Sequence, residues 1–128
     1  MKKVILTPHA PAPIGPYSQA VQVGQQLFIS GQIPLDPSTG DLITGSIEEE
    51  TTQVMKNLSA VLSQAGGDWE NVVKVSIFLT DMADFAAVNK IYGSYISEKS
   101  APARETVAVA GLPKGVRVEI SAIAILDA

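Results

Sequence analysis

From Val116 to Leu126, the apolar residues Val116, Val118, Ile120, Ala122, Ala124 and Leu126 fall on every second position. Strand side chains alternate between faces with period two, so this run specifies a β-strand with one continuous apolar face. Ile123 and Ile125 add apolar side chains to the other face near the strand's end. An earlier extended run places Arg104 and Thr106 on one face. Between the two runs, Ala110 to Gly115 holds two glycines and a proline and reads as a turn. Closing the runs into a hairpin about that turn sets Thr106 opposite Glu119 and Arg104 opposite Ser121. Arg104 and Glu119 are then diagonal neighbours on one face, roughly 7–8 Å apart, with room for a small molecule between them. A slip of one residue would put them on opposite faces.

The rest of the chain divides by the same signals. Lys3 to Leu6 reads as a short strand. Thr7 to Pro16 holds four of the eight prolines and is confined to extended or turn conformations. Tyr17 to Val23 and Gln26 to Ser30 form two strands about Gly24-Gln25, a pair suited to a two-residue type II′ turn. That register sets Gln19 opposite Ser30 and brings Tyr17 near Gln32 and the Ser30-Gly31 strand end. A glycine there lets a ligand approach backbone N–H groups. Pro34 to Gly45 is loop. Ser46 and Glu49 have capping-box spacing for a helix in which Ile47, Val54, Leu58, Val61 and Ala65 recur on one face, with Gly66 as its stop. Glu48, Glu49 and Glu50 fan around that helix, which suits the positive end of the dipole better than a metal cluster.

Val72 to Leu79 is mostly apolar, as expected of a strand buried on both faces. Asp81 or Asp84 caps a second helix with Phe85, Val88, Tyr92 and Tyr95 along one stripe and Asn89 one residue off it. The order predicts an α+β chain of six strands and two helices in a single domain, 1–128. Two helices cover only one face of such a sheet, so its remaining apolar surface predicts an oligomer.

Composition excludes several classes of function. A chain of 128 residues with 46% hydrophobic and 17% charged residues has the makings of a folded core. Its formal net charge is −4 and its lysines and arginines are scattered, which argues against a nucleic-acid partner. Without cysteine there is no disulfide or thiolate nucleophile. The single histidine, His9, lies among prolines, so a Ser-His-Asp triad would depend on it alone. No GxxxxGK or GxGxxG phosphate loop occurs. Lys2-Lys3 is followed by only three apolar residues before Thr7-Pro8, and no run reaches membrane-spanning length. The expectation is a soluble, cytoplasmic protein without a membrane partner.

Pro102-Ala103-Arg104, the Leu112-Pro113-Lys114-Gly115 turn and Val118-Glu119-Ile120 resemble the signature of the RidA family (YjgF/YER057c/UK114), the reactive-intermediate deaminases. The segments APIGPYSQAV, LFISGQIPLDPSTG and NL…L…AG extend the resemblance over nearly the whole chain. Glu105 departs from it, standing where the family usually carries a small residue. Alternation points Glu105 away from Arg104, toward the opposite face of its strand.

The resemblance implies a chorismate-mutase-like fold (bacillar type): a six-stranded mixed sheet with two helices on one face, assembled as a homotrimer with sites in clefts between subunits. It implies hydrolysis of 2-imino and enamine acids, 2-iminobutanoate and 2-iminopropanoate among them, to 2-oxo acids and ammonia. No cofactor and no metal are expected, since an imine is readily hydrolysed. Arg104 and Glu119 would be catalytic. Tyr17, Ser30, Gly31, Asn89, Arg104 and Thr106 would bind substrate, Thr106 standing where many relatives carry cysteine.

The residues are compatible with these roles. A guanidinium forms a bidentate pair with a carboxylate, and apolar neighbours would raise the pKa of Glu119. They are also compatible with plainer ones: Arg104 as a surface or interface arginine paired with an acid, Glu119 in a salt bridge to Arg104 or Arg117. At the level of function the alternative is a trimeric module that binds 2-oxo acids without turnover. An RNA-directed inhibitor of translation or a nuclease sits badly with the acidic charge.

Overall fold

The computed structural model describes residues 1–127, and Ala128 lies outside the described residues. Among them the order is β1 (Lys2–Ile5), β2 (Ala20–Val23), β3 (Gln26–Gln32), α1 (Ile47–Gln64), β4 (Val72–Leu79), α2 (Phe85–Gly93), β5 (Ala103–Ala108) and β6 (Val118–Ile125). The strands form one mixed sheet in the order β1-β2-β3-β6-β4-β5, with only β4 and β5 parallel. Local signals set most boundaries. Gly24, at φ +59°, opens the two-residue turn between β2 and β3. Ser46 and Glu49 complete a reciprocal capping box on α1, and Gly66 follows its end at φ +85°. Asp81 caps a short 3₁₀ turn, Met82–Asp84, that runs directly into α2.

Both helices lie on one face of the sheet. Val54, Met55, Leu58, Val61 and Leu62 of α1 and Val88 and Tyr92 of α2 bury the inward residues of β3, β4 and β6. The other face is open. One row across it reads Val4, Val21, Phe28, Ile123 and Lys74, and Val4 is 55% and Phe28 42% exposed. The expectation that β4 is buried on both faces is therefore corrected: Val75, Ile77 and Leu79 are buried, whereas Lys74, Ser76 and Phe78 are half-buried on the open face.

The C-terminal hairpin is not formed. β5 and β6 each pair with β4, which lies between them. The Leu79 carbonyl accepts from the Val109 N–H at 2.8 Å, and the Thr80 N–H donates to the Arg117 carbonyl at 3.2 Å, so the two runs bracket the end of β4. Two causes combine. The chain from β4 through α2 is long enough for the crossover that parallel strands require. An apolar central strand must also have both its edges hydrogen-bonded.

Register then decides which side chains share a face. Arg104 aligns with Val75 and Ala122, and Thr106 with Ile77 and Ile120, on the helix-covered side. Glu119 aligns with Phe78 and Val107 on the open side. Arg104 and Glu119 are thus on opposite faces of the sheet and not diagonal neighbours on one.

Candidate active site in two halves

The first half is built on β5 and α2. Phe85, Asn89 and Tyr92 recur at i, i+4 and i+7, so they share one side of α2, and Arg104 lies against that side. Arg104 Nη1 donates to Asn89 Oδ1 at 2.6 Å. Its guanidinium carbon is 5.0 Å from the Tyr92 ring centre and 5.7 Å from that of Phe85, within cation–π range. Burial pushes the Tyr92 hydroxyl pKa up, partly offset by the Arg104 charge. Thr106 is two residues along the same face, and its Oγ1 is buried without a hydrogen-bond partner among the described residues.

A second arginine gives the contrast. Arg117 Nε donates to Glu50 Oε2 at 2.8 Å, its Nη2 bonds the same carboxylate and also donates to the Gly45 carbonyl at 3.0 Å. Glu50 is buried, so Arg117 is a structural arginine that joins α1 to β6. Among the described residues no acid forms an ion pair with Arg104. A neutral amide and two aromatic rings hold that guanidinium and leave its charge uncompensated.

The second half is a cavity of about 550 Å³ lined by Tyr17, Ser30, Gly31, Lys114 and Glu119 among others. The pairing of β3 with β6 shifts register between Ile29 and Gln32, and Ser30 and Gly31 sit in that irregularity. A Cβ on Gly31 would overlap the Glu119 carboxylate, with Cδ only 2.8 Å away, so the absent side chain is what lets Glu119 pack there. Burial raises the Glu119 pKa above its ordinary 4.5. Ser30 Oγ donates to the Ser18 carbonyl at 2.6 Å, tying the strand to the segment that carries Tyr17. Lys114 reaches the cavity from the turn before β6, at φ +57°, a conformation a lysine seldom adopts.

Tyr17 does not begin a strand, as β2 starts at Ala20. It stands in a loop, 51% exposed, with its hydroxyl accepting from the Ile14 N–H at 3.3 Å. Gln19 anchors that loop. Its buried Nε2 donates to the carbonyls of Thr7, Ala10 and Pro11, and its Oε1 accepts from the Thr7 N–H at 2.7 Å. Sequence reasoning placed Gln19 opposite Ser30 but assigned it no such task. The available signal was the proline run, whose carbonyls have few backbone donors nearby and need one from elsewhere. Phe85 and Tyr92, on the apolar stripe of α2, do pack in or against the core, and their spacing about Asn89 also gives Arg104 one surface to lie on.

The chain thus brings Tyr17, Ser30, Gly31 and Glu119 together, and Arg104 together with Asn89 on the face that Thr106 shares. It does not bring the two groups to each other. One half offers a cation for an anionic group. The other offers a carboxyl able to exchange a proton nearer neutrality, beside backbone that a ligand can approach.

Comparison with known proteins places the chain in a family. The family model described as Endoribonuclease L-PSP matches residues 7–126. The chain is 54% identical to a 2-iminobutanoate/2-iminopropanoate deaminase of Mus musculus, over 98% of this chain and 92% of that protein. It is 52% identical to a RutC family protein of Pyrococcus horikoshii, over 97% and 98% of the two chains. Among solved structures, a putative endoribonuclease of Thermotoga maritima superposes with a TM-score of 0.96 at 50% identity, covering 100% of each chain. TdcF of E. coli, with bound serine, superposes at 0.91 and 39% identity, covering 98% of this chain and 99% of that one. The chain belongs to the YjgF/RidA family, whose model carries the description Endoribonuclease L-PSP.

Proposed function

We propose that this protein is an imine deaminase that hydrolyses small 2-imino acids such as 2-iminobutanoate and 2-iminopropanoate to 2-oxo acids and ammonia. The observation that carries the reading is the uncompensated Arg104 charge, held in place by Asn89 and two rings while Arg117 serves the structural ion pair. Such a guanidinium is a receptor for a substrate carboxylate. The two halves lie on opposite faces of one sheet, so a single chain does not complete the site; in the homotrimer that the family resemblance implies, Arg104 comes from one copy and the Glu119 cavity from its neighbour.

In that site Arg104 binds the carboxylate, and Thr106 Oγ1, without a partner among the described residues, takes a hydrogen bond. Glu119 accepts a proton from water as the oxygen bonds to the imine carbon. The C=N π pair moves to nitrogen, which takes that proton from Glu119 and leaves a carbinolamine. The carbinolamine hydroxyl then gives up its proton to the amine nitrogen through Glu119, an oxygen lone pair forms the C=O, the C–N pair departs with ammonia, and the 2-oxo acid remains. Tyr17 covers the ligand from its loop, and Ser30, Gly31 and Asn89 line the pocket.

The test generates 2-iminobutanoate with an amino-acid oxidase and follows imine loss with and without the protein. Acceleration that disappears in Arg104→Ala, with the fold retained, is the expected result; an undiminished rate in that variant would refute the assignment. A second reading, binding of small carboxylates without turnover, draws on the serine bound by the E. coli relative. It predicts that 2-oxobutanoate binds while imine loss stays at the background rate.

A further inference from the structure

Lys114 and Glu119 are the two charged residues that line the cavity of about 550 Å³, and Pro11, Ile14, Ile33 and Leu35 give it apolar walls. The two do not pair, and Lys114 has no acid partner among the described residues. It also borders a smaller cavity beside Glu50, but that carboxylate is taken by Arg117. Its backbone is held where a lysine is disfavoured. The Gly115 N–H donates to the Leu112 carbonyl at 3.1 Å, closing a turn with Pro113 second and Lys114 third. Lys114 has φ +57°. Proline followed by a positive φ is the pattern of a type II turn, whose third position favours glycine because it lacks a Cβ. The chain puts lysine there and glycine only at the next position, Gly115. A side chain kept in a costly conformation points to a use for that side chain.

We infer that Lys114 is a specificity-determining residue whose ammonium draws anionic substrates into the Glu119 cavity. The inference rests on the proposed hydrolysis of 2-imino acids and names a second cation for it, distinct from Arg104. The protein carries a formal net charge of −4, so a 2-imino acid anion approaches a surface that on average repels it. An unpaired ammonium on the cavity wall offsets that repulsion where the substrate enters. In water, unit charges about 7 Å apart attract by about RT, which raises the local anion concentration about threefold. Arg104 then fixes the carboxylate through paired hydrogen bonds, which the point charge of a lysine does not supply.

Kinetics with the oxidase in excess test this at about 10 mM salt, where charges act over about 30 Å, and at about 1 M, where they act over about 3 Å. At low salt Lys114→Gln should lower kcat/KM about threefold through KM, Lys114→Glu should lower it about tenfold, and Lys114→Arg should match wild type. At high salt all four proteins should converge. Lys114→Gly should unfold at a urea concentration no lower than wild type, because glycine relieves the turn; a lower midpoint overturns the strain argument. Equal kcat/KM for wild type and Lys114→Gln at low salt, or a loss that persists undiminished at high salt, overturns the role of Lys114 and leaves the deaminase reading standing. A wild type that does not accelerate imine loss overturns that reading instead. Affinity for 2-oxobutanoate at low salt then decides on Lys114: a fall of about threefold in Lys114→Gln supports its role, and an unchanged affinity overturns it.

Discussion

Replacing Gly31 with alanine should separate catalysis from folding. Gly31 lies outside the left-handed region, so alanine meets no backbone penalty there. The added Cβ would stand 2.8 Å from Glu119 Cδ and 3.0 Å from Cγ, where ordinary contact begins near 3.4 Å. Glu119 must therefore retreat by about 0.6 Å at Cδ, and by more at the oxygen that approaches closest. A misplacement on the order of 1 Å costs about 100-fold in rate, or about 2.7 kcal/mol of transition-state stabilisation.

The fold should lose little in exchange. The flexible end of a side chain can yield, and the stiffer unfolded chain contributes about 0.4–1 kcal/mol in favour of the variant. Steady-state kinetics in the oxidase-coupled assay should show the loss in kcat with KM little changed, because Arg104 still holds the carboxylate. Urea unfolding should agree with wild type to within about 1 kcal/mol. A kcat within threefold of wild type would refute the role given to the Glu119 position. A loss of stability above about 3 kcal/mol would refute the packing argument.

Two further outcomes follow from the site. Because burial raises the Glu119 pKa in the folded state, its contribution to stability is complete below about pH 4.5 and is lost as pH rises through the folded value. Wild-type unfolding free energy should fall across that window while Glu119→Gln shows no such fall, and the acid limb of wild-type kcat/KM should lie above pH 4.5. Coincident pH–stability curves for the two proteins would contradict the burial argument. Gln19→Leu removes the donor to three loop carbonyls and the acceptor for the Thr7 N–H, at a cost of about 2–3 kcal/mol. It should also raise KM through the misplaced Tyr17; an unchanged KM with lowered stability would leave Gln19 a purely structural residue.

Much of this protein is written in short-range signals. The Ser46–Glu49 capping box, the Gly24-Gln25 turn, the Gly66 stop and the alternation of β6 each act over a few residues, where sterics and one or two hydrogen bonds decide the conformation. For the same reason alternation within β5 is legible: Glu105 points away from Arg104 because neighbouring strand residues must. The resemblance of Pro102 to Glu119 to a known signature named the candidate residues one by one.

Partner choice between strands has no such local determinant. Val107 and Glu119 look like two arms of one hairpin, yet both align with Phe78, because β4 is inserted between them. The energy that decides this comes from hydrogen-bonding both edges of an apolar strand and burying its inner face under two helices, contributions from residues far apart in sequence. The sequence by itself determined most of the elements, the alternation within them and the chemical types of the site residues, while Tyr17 proved to stand in a loop and β4 to bury one face only. Only the tertiary structure decided that Arg104 and Glu119 stand on opposite faces, since strand order is settled by long-range packing that no run of neighbouring residues encodes.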